Sequence, residues 1–174
     1  MIVFRGSNTQ IPVWHTRTNP STPGFKWYVL SEDGGRTFTP PMPWYFDTKE
    51  VVYSSASISS FYRCPKNGKL YWMGNIIPEP WRIDGNNPRW PFVICEVNEE
   101  YGFLIKDTLT VIDTLREGEL TTELSNPNLF ENRETGNLEI RMTKINMTWA
   151  DETVQQSRGK WYSEAWEYIL EFDN

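Results

Sequence analysis

The chain lacks the features that usually identify small disulfide-rich, membrane-spanning and nucleic-acid-binding proteins. It has only two cysteines, Cys64 and Cys95, too few for a disulfide framework; one bridge is open to them, but two buried thiols are favoured. Its longest apolar runs are a few residues, far short of the roughly 20 that span a bilayer. With 17 basic against 23 acidic residues, it lacks the positive surface that binds a phosphate backbone. We therefore expect no membrane insertion and no nucleic-acid partner.

Motifs for metals and cofactors are also missing. The 174 residues contain no metal-ligand spacing, no phosphate-binding glycine loop and no nucleophile elbow. Residues 1–10 lack the basic, apolar and small-residue regions of a signal peptide. We expect no metal, no cofactor and no export signal in this chain.

What the chain does have is aromatic residues, 15% of the total, in short segments between frequent turn residues. Aromatic and β-branched segments bounded by Gly, Pro and Asp are typical of short strands. The segment 163–172 also fits a helix, but the alternate placing of Trp166, Tyr168 and Leu170 favours a half-buried strand. The sequence predicts one all-β domain over residues 1–174, with its clearest strands at 25–30, 69–76, 90–97, 104–112 and 137–145.

Two stretches of the chain repeat one another. Residues 61–76 and 129–145 each have the pattern strand, turn with glycine, strand, and Gly68 and Gly136 occupy matching places. Repeated antiparallel hairpins are typical of β-propellers, whose blades are four-stranded antiparallel sheets. At roughly 40–60 residues per blade the chain holds about three, whereas a closed propeller has about four to eight. Either two chains share a ring, or the chain is part of a longer protein, or it is not a propeller.

A hairpin motif specifies the class of propeller more closely. Residues 31–38 match the pattern Ser/Thr-x-Asp-x-Gly-x-Thr-Trp/Phe, whose fixed positions are Ser31, Asp33, Gly35, Thr37 and Phe38. In such a turn the aspartate accepts backbone hydrogen bonds and glycine supplies the positive φ. We also expect the terminal aromatic to pack between adjacent sheets. The motif resembles the Asp-box of sialidase-like propellers, where it serves folding and not catalysis; the alternative is an ordinary Asp-Gly-Gly hairpin.

More of the chain resembles the carboxy-terminal part of bacterial sialidase-like (neuraminidase, BNR-repeat) proteins, in the stretches 4–8, 69–75, 87–91 and 133–136. The resemblance implies part of a six-bladed propeller. It also implies that Arg5 and Arg89 belong to the arginine triad that clamps the sugar carboxylate in sialidases. Planar guanidinium groups suit this task because they form bidentate, charge-assisted hydrogen bonds. The alternative for each arginine is a surface ion pair.

Other parts of a sialidase site depart from the family pattern. The tyrosine nucleophile is expected where residues 124–126 read Leu-Ser-Asn, and its partner glutamate where residues 53–56 read Tyr-Ser-Ser-Ala. Tyr53 begins a Tyr-Ser pair in a different blade and is a candidate nucleophile, and Glu50 lies near enough to shift into the glutamate role. His15, the only histidine, is a candidate acid or base near neutral pH. The ordinary alternative for His15 is a solvated histidine in a loop.

Two further features have both a functional and an ordinary interpretation. Large aromatics can stack on the apolar faces of sugars or fill the core, and the candidates are Tyr71, Trp72, Trp81 and Trp90. Residues 146–148, Asn-Met-Thr, have the form of a glycosylation sequon.

The sequence therefore predicts a sialidase-like glycoside hydrolase acting on a carbohydrate, with a carboxylate-bearing sugar anchored by Arg5 and Arg89. The alternatives are a non-catalytic propeller that binds glycans or proteins, and an inactive carboxy-terminal fragment of a larger enzyme. A homodimer that completes the ring is the assembly expected of a three-blade chain. The resemblance implies a secreted or periplasmic location.

Overall fold

The computed structural model describes residues 24–55, 57–77, 87–148 and 160–173. Within these ranges the regular structure is β-strand apart from one turn of 3-10 helix at Lys106–Thr108, so the prediction of an all-β protein is confirmed. The strands are β1 (Trp27–Tyr28), β2 (Met42–Pro43), β3 (Ser60–Arg63), β4 (Leu70–Asn75), β5 (Phe92–Glu96), β6 (Thr110–Asp113), β7 (Glu119–Glu131), β8 (Leu138–Thr148) and β9 (Lys160–Leu170). In this part of the chain no helix is long and apolar enough to cross a membrane.

The strands form three antiparallel sheets that follow one another along the chain. The first sheet pairs β1 with β2, and a single bridge joins Phe25 to Tyr53 beside it. The second sheet has the order β3-β4-β5-β6, and the third has the order β7-β8-β9. Neighbouring strands in each sheet are consecutive in sequence, so the first sheet is a simple antiparallel pair and the second and third are meanders.

The second sheet separates two hydrophobic cores, because successive residues of a strand point to opposite faces. On β4, Leu70 and Trp72 belong to the first core, whereas Met73 belongs to the second and Tyr71 packs against it. The first core also contains Trp44, Phe46, Val52, Val93, Cys95, Val97 and Leu104; the second also contains Tyr62, Cys64, Phe92, Ile94, Leu124, Leu138, Ile140 and Met142. The three sheets therefore pack face to face in chain order, and the second is covered on both sides.

The two cysteines lie on opposite faces of the second sheet. Cys95 is buried in the first core and Cys64 in the second, and both are free thiols. Because the sheet lies between them, the structure selects two buried thiols over a bridge.

Packing in the first core is tight around Trp72. Its side chain is 1% exposed and meets the ring of Trp44 edge to face, with centroids 5.4 Å apart. Gly74 leaves room for this indole, since a Cβ at that position would lie 2.5 Å from one of its ring carbons. The glycine is required here by close approach and not by a turn.

The internal repeat corresponds to two hairpins with the same turn. The turns that join β3 to β4 and β7 to β8 each contain a glycine at positive φ, 70° at Gly68 and 69° at Gly136. The N–H of Gly68 donates to the carbonyl of Cys64 at 2.9 Å, and that of Gly136 donates to the carbonyl of Asn132 at 2.7 Å. The repeat in the sequence therefore reflects one local geometry used twice.

The strand predicted at 104–112 is wrong in its first half, since β6 begins only at Thr110. The preceding residues turn instead, because the hydroxyl of Thr108 donates to the carbonyl of Ile105 at 2.7 Å and accepts the N–H of Glu96 at 2.9 Å. The second of these bonds reaches a strand that is distant in sequence, so no local pattern indicates it.

A buried lysine joins the second sheet to the third. Nζ of Lys144, on β8, lies 3.4 Å from an oxygen of Asp113 at the end of β6 and 3.6 Å from an oxygen of Glu119 at the start of β7. The phenol of Tyr168 donates to Asp113 at 2.6 Å. Tyr168 belongs to β9, which takes part in this junction. The segment 163–172 is thus a strand as predicted as far as Leu170, and its last two residues lie beyond the end of β9.

Candidate functional site

Arg89, one of the predicted clamp arginines, lies where the end of β4, the segment leading into β5 and the middle of β7 meet. A single bridge pairs Arg89 in parallel with Glu123 of β7. The N–H of Leu124 donates to the carbonyl of Arg89 at 3.1 Å. The backbone of Arg89 is therefore held against β7 at the place where the family resemblance puts the nucleophile.

Asn75, the last residue of β4, holds this junction together. Its side chain is fully buried, and its Nδ2 donates to the carbonyl oxygens of Arg89 at 2.8 Å and Leu124 at 3.1 Å. Oδ1 of the same amide is buried with no hydrogen-bond partner among the described residues. Sequence reasoning assigned Asn75 no role, although it ends the stretch 69–75 that carries part of the resemblance. Its partners are backbone carbonyls far along the chain, which no motif records.

The side chain of Arg89 reaches two polar groups of β7. Its Nη1 donates to Oγ of Ser125 at 3.2 Å and lies 3.8 Å from Oε2 of Glu123, while 20% of the Arg89 side chain is exposed. A β-bulge between Ser125 and Asn128, with φ of 56° at Asn126, interrupts the strand at this point. Within the described residues, the site is thus a partly exposed cation beside the buried hydroxyl of Ser125 and the carboxylate of Glu123. Such a guanidinium can bind an anionic ligand in competition with Glu123.

Tyr53 is tied to the same junction through the residues that follow it. Oγ of Ser55 donates to the carbonyl of Pro88 at 2.7 Å, directly before Arg89. Oγ of Ser54 lies 2.8 Å from the carbonyl of Asn75. Tyr53 itself is half-buried. Two serine hydroxyls therefore bring the Tyr53 segment to the Arg89 segment.

A second cation occupies a comparable place one sheet earlier. Nζ of Lys26 donates to the carbonyl of Ser57 at 2.7 Å and lies 3.4 Å from its Oγ. The offset that superposes Gly68 on Gly136 also superposes Ser57 on Ser125. Each copy of the repeat thus has a serine beside a basic side chain. Ser57 lies before β3, and Ser125 lies within β7, ahead of the repeated stretch 129–145. The repeat is the sequence signal that could have identified Ser125.

The environment of Lys26 differs from that of Arg89. Lys26 is 2% exposed, and this burial lowers the pKa of its ammonium group to about 7. A lysine so enclosed is a structural group, whereas the side chain of Arg89 is only partly enclosed.

Residues 31–38 form a dense hydrogen-bonded turn. Asp33 accepts the N–H of Thr37 at 2.9 Å and its hydroxyl at 2.7 Å, and Oγ of Ser31 accepts the N–H of Gly35 at 2.7 Å. The bonds from Thr37 come first among the causes that hold the pKa of Asp33 well below its usual range. At Gly35 φ is 87°, which favours glycine. The polar side chains at the fixed positions of the motif, Ser31, Asp33 and Thr37, are all engaged in the turn itself, which suits folding and not catalysis.

Phe38 departs from the expectation for this motif. Its side chain is 48% exposed, so it does not pack between adjacent sheets. Its ring lies instead over the turn, 3.7 Å from the position a Cβ would take at Gly35.

Other sequence candidates are placed as follows. Arg5 and His15 lie outside the described residues. The exposed carboxylate of Glu50 forms an ion pair with Lys106 on the surface. Of the proposed sugar platforms, Trp72 is core, Tyr71 and Trp90 are partly buried against the second core, and Trp81 is outside the described residues.

The asparagine of the sequon at residues 146–148 lies in the interior of the protein. Asn146 is buried, and its Oδ1 accepts the hydroxyl of Thr122 at 2.6 Å, so the folded chain does not present this amide for glycosylation. In the described part of the chain, no group of three or more His, Cys, Asp or Glu is placed to hold a metal ion.

In comparisons with models of known families, with curated proteins and with solved structures, nothing matches this chain. A functional assignment therefore depends on the motif resemblance and on the local geometry of the Arg89 junction.

Proposed function

We propose that the chain is a sialidase-like glycoside hydrolase whose substrate carries a carboxylate-bearing sugar, and that Arg89 anchors this carboxylate. In this proposal the three sheets are consecutive propeller blades, and the Asp-box turn belongs to the first of them.

The packing of the sheets supports the propeller part of the proposal. Blades of a propeller follow one another in sequence, and each packs its faces against its neighbours. The three sheets here are antiparallel and lie in chain order with a core between each successive pair. The hydrogen-bonded turn at residues 31–38 is the second support, because its bonds are those the Asp-box pattern requires.

The position of Arg89 carries the functional part of the proposal. The resemblance assigns a clamp role to Arg89 and a nucleophile position to residues 124–126, which are 35 or more positions away in sequence. In the structure, Nη1 of Arg89 lies 3.2 Å from Oγ of Ser125. Two positions that the resemblance assigns to one site, and that are distant in sequence, thus lie within hydrogen-bond distance of each other.

The proposed chemistry divides between binding and bond cleavage. Arg89 forms charge-assisted hydrogen bonds to the sugar carboxylate and orients the ring, with Arg5 as its partner in the clamp. Tyr53 is the candidate nucleophile, and His15 is the candidate acid or base.

Hydrolysis and binding measured side by side test this proposal. We expect the chain to cleave a 4-methylumbelliferyl sialoside and not the matching neutral glycoside. Arg89→Ala should lower kcat/KM by about a hundredfold, because a charged hydrogen-bonded contact contributes roughly 1.5–3 kcal/mol. Arg133→Ala, at an exposed turn, is the matched control and should leave turnover unchanged. Equal turnover by both variants would exclude Arg89 from the clamp.

A non-catalytic glycan-binding propeller is the second candidate. The observation that favours it is the absence of tyrosine at residues 124–126, where the hydroxyl present is the buried Ser125 held by Arg89. Binding of the free acidic sugar that is lost in Arg89→Ala, with no turnover of the sialoside by any variant, would establish this candidate over the enzyme.

A further inference from the structure

β9 is the long outer strand of the third sheet. It has 11 residues and pairs with β8 along its whole length. Among the described residues no strand pairs with its other edge, and the third sheet has three strands where the second has four. A strand of this length that exposes its backbone N–H and C=O groups is a template for another strand.

The side chains of β9 are those of an interface and not of a protected edge. Trp161 is 53% exposed, Tyr162 38% and Ile169 58%. Proteins usually protect long edges with lysine, proline or bulges. After Lys160, β9 contains no basic residue and no proline, and its pairing with β8 has no recorded register shift. The strand is therefore regular, it exposes three large apolar side chains beside two glutamates, and its outer edge is unpaired within the described part of the chain.

We infer that β9 pairs antiparallel with β9 of a second copy of this chain, about a twofold axis at Ala165. This inference does not depend on the proposed function. In this register Trp161 faces Ile169 of the second copy, and Tyr162 faces Tyr168. Pairs of aromatic and β-branched residues directly opposite one another stabilise antiparallel strands. Trp161 and Ile169, the large apolar side chains of β9 with the greatest exposed fractions, thereby cover each other.

Charge and side-chain matching together select this register over its neighbours. An axis at Trp166 would oppose no two carboxylates, but it would place Trp161 opposite Glu171 and Ile169 opposite Ser163, which leaves both apolar side chains without an apolar partner. A twofold axis at Glu164 or at Glu167 would place a carboxylate opposite its own copy, which is unfavourable. With the axis at Ala165, Glu164 faces Trp166 and Glu167 faces Ser163, so no two acidic residues are directly opposed. Ala165 is also the smallest side chain of the strand, and it is exposed. The two third sheets together form one continuous six-stranded sheet.

Light scattering on the full chain measures its mass in solution, which shows whether the chain is a dimer. We expect a dimer of twice 20.5 kDa that dissociates on dilution. Trp161→Glu and Ile169→Lys should each raise the dimer dissociation constant by about tenfold, because symmetry changes two cross-strand pairs at once. Tyr101→Lys, at an equally exposed aromatic in a turn outside β9, is the control and should leave the constant unchanged.

The double variant Trp161→Glu/Ile169→Lys tests the register. Each changed pair then places a glutamate opposite a lysine of the other copy, and we expect the dimer to be restored toward the original affinity. A monomer at every concentration, or single variants that dimerise as well as the original chain, would overturn the inference.

A crosslink at the axis gives an independent measurement. Opposed residues of antiparallel strands have Cα atoms about 4.5–5.5 Å apart, within the range a disulfide spans. Ala165→Cys should therefore form an intermolecular disulfide under mild oxidation, whereas Ser163→Cys, which faces Glu167, should not. The native thiols, Cys64 and Cys95, are buried and do not compete. Equal crosslinking of both variants, or crosslinking of Ser163→Cys alone, would contradict the register.

Discussion

At the scale of single residues, Lys26 and Arg89 show that two basic side chains with similar neighbours can differ in their degree of burial. Both lie beside a serine of the repeated segment. Lys26 is enclosed and hydrogen-bonded to the backbone carbonyl of Ser57, and desolvation is the cause of its lowered pKa. The side chain of Arg89 is 20% exposed and lies beside Glu123. Residue type alone does not separate the two roles, because exposure depends on the sheets that surround each side chain.

The buried amine makes stability depend on pH. The folded-state pKa of Lys26 is about 7 and its ordinary value is 10.5, so between these values the unfolded chain binds a proton that the folded chain does not. The free energy of unfolding should therefore rise with pH above 7, by up to about 1.4 kcal/mol per pH unit from this group. In Lys26→Met the rise should disappear.

Urea unfolding at pH 7, 8 and 9 measures the difference between the original chain and Lys26→Met. The window ends there because burial raises the pKa of Cys95 from 9.0 to about 11, which lowers stability at higher pH. Lys49→Met, at an exposed lysine, is the control and should keep the original slope. Identical slopes in the original chain and Lys26→Met would show that Lys26 keeps its proton when folded.

At the scale of elements, the sequence predicts those strands and turns whose residues form a local pattern. The two hairpins were recognisable because glycine at positive φ and alternating apolar residues recur at one offset. The 3-10 turn at Lys106–Thr108 was not, because it is held by Glu96 and by the carboxylate of Asp47, which accepts the N–H of Lys106 at 3.1 Å.

The residues of the candidate site also fall into two groups, those that a sequence motif indicates and those that only the structure reveals. Arg89 and Tyr53 were selected on motif context, whereas Asn75 was missed and Ser125 was noted only as a departure from the family pattern. The role of Asn75 is to bond carbonyls on two other segments. Such a contact depends on which strands meet and not on the types of their residues, so no sequence pattern predicts it.

Gly68 and Gly136 occupy equivalent turns, so alanine substitutions at both separate the cost of backbone strain from the cost of a steric clash. Gly68→Ala meets no atom within 4 Å, so its cost should be the roughly 1–2 kcal/mol of a left-handed alanine. Gly136→Ala bears the same cost, and its Cβ would also lie 2.8 Å from Cε of Lys66, whose Nζ donates to Asn137 at 3.0 Å. We expect Gly136→Ala to be the more destabilising of the two in chemical denaturation. The reverse order would show that Lys66 moves away without loss.

At the scale of the whole molecule, one sheet serves two cores. Alternate residues of β4 and β5 enter the first and the second core in turn, so damage to either core acts on the same strands. The composition and turn spacing predicted the all-β class, but the order in which the sheets pack depends on long-range pairing that the sequence pattern does not specify.

Equivalent leucines, one in each core, test this coupling. Leu104 lies in the first core and Leu138 in the second, and both are 0% exposed. Either Leu→Ala substitution should cost about 2–5 kcal/mol and shift the entire unfolding transition, with circular dichroism and tryptophan fluorescence coincident. Val111→Ala, at a 49% exposed position, should cost less than about 0.5 kcal/mol. Two separated transitions in either leucine variant would mean that the cores unfold independently.

The amide of Asn75 has a consequence for how this site can change. It bonds to main-chain oxygens of positions 89 and 124, which every amino acid supplies. These hydrogen bonds between the three segments therefore do not depend on which side chains occupy positions 89 and 124. Substitutions at Arg89, Glu123 or Ser125 can alter the charge offered to a ligand while the frame that presents them persists. In evolution or in the laboratory, a new ligand preference at this junction would need few replacements and no rebuilding of the sheets.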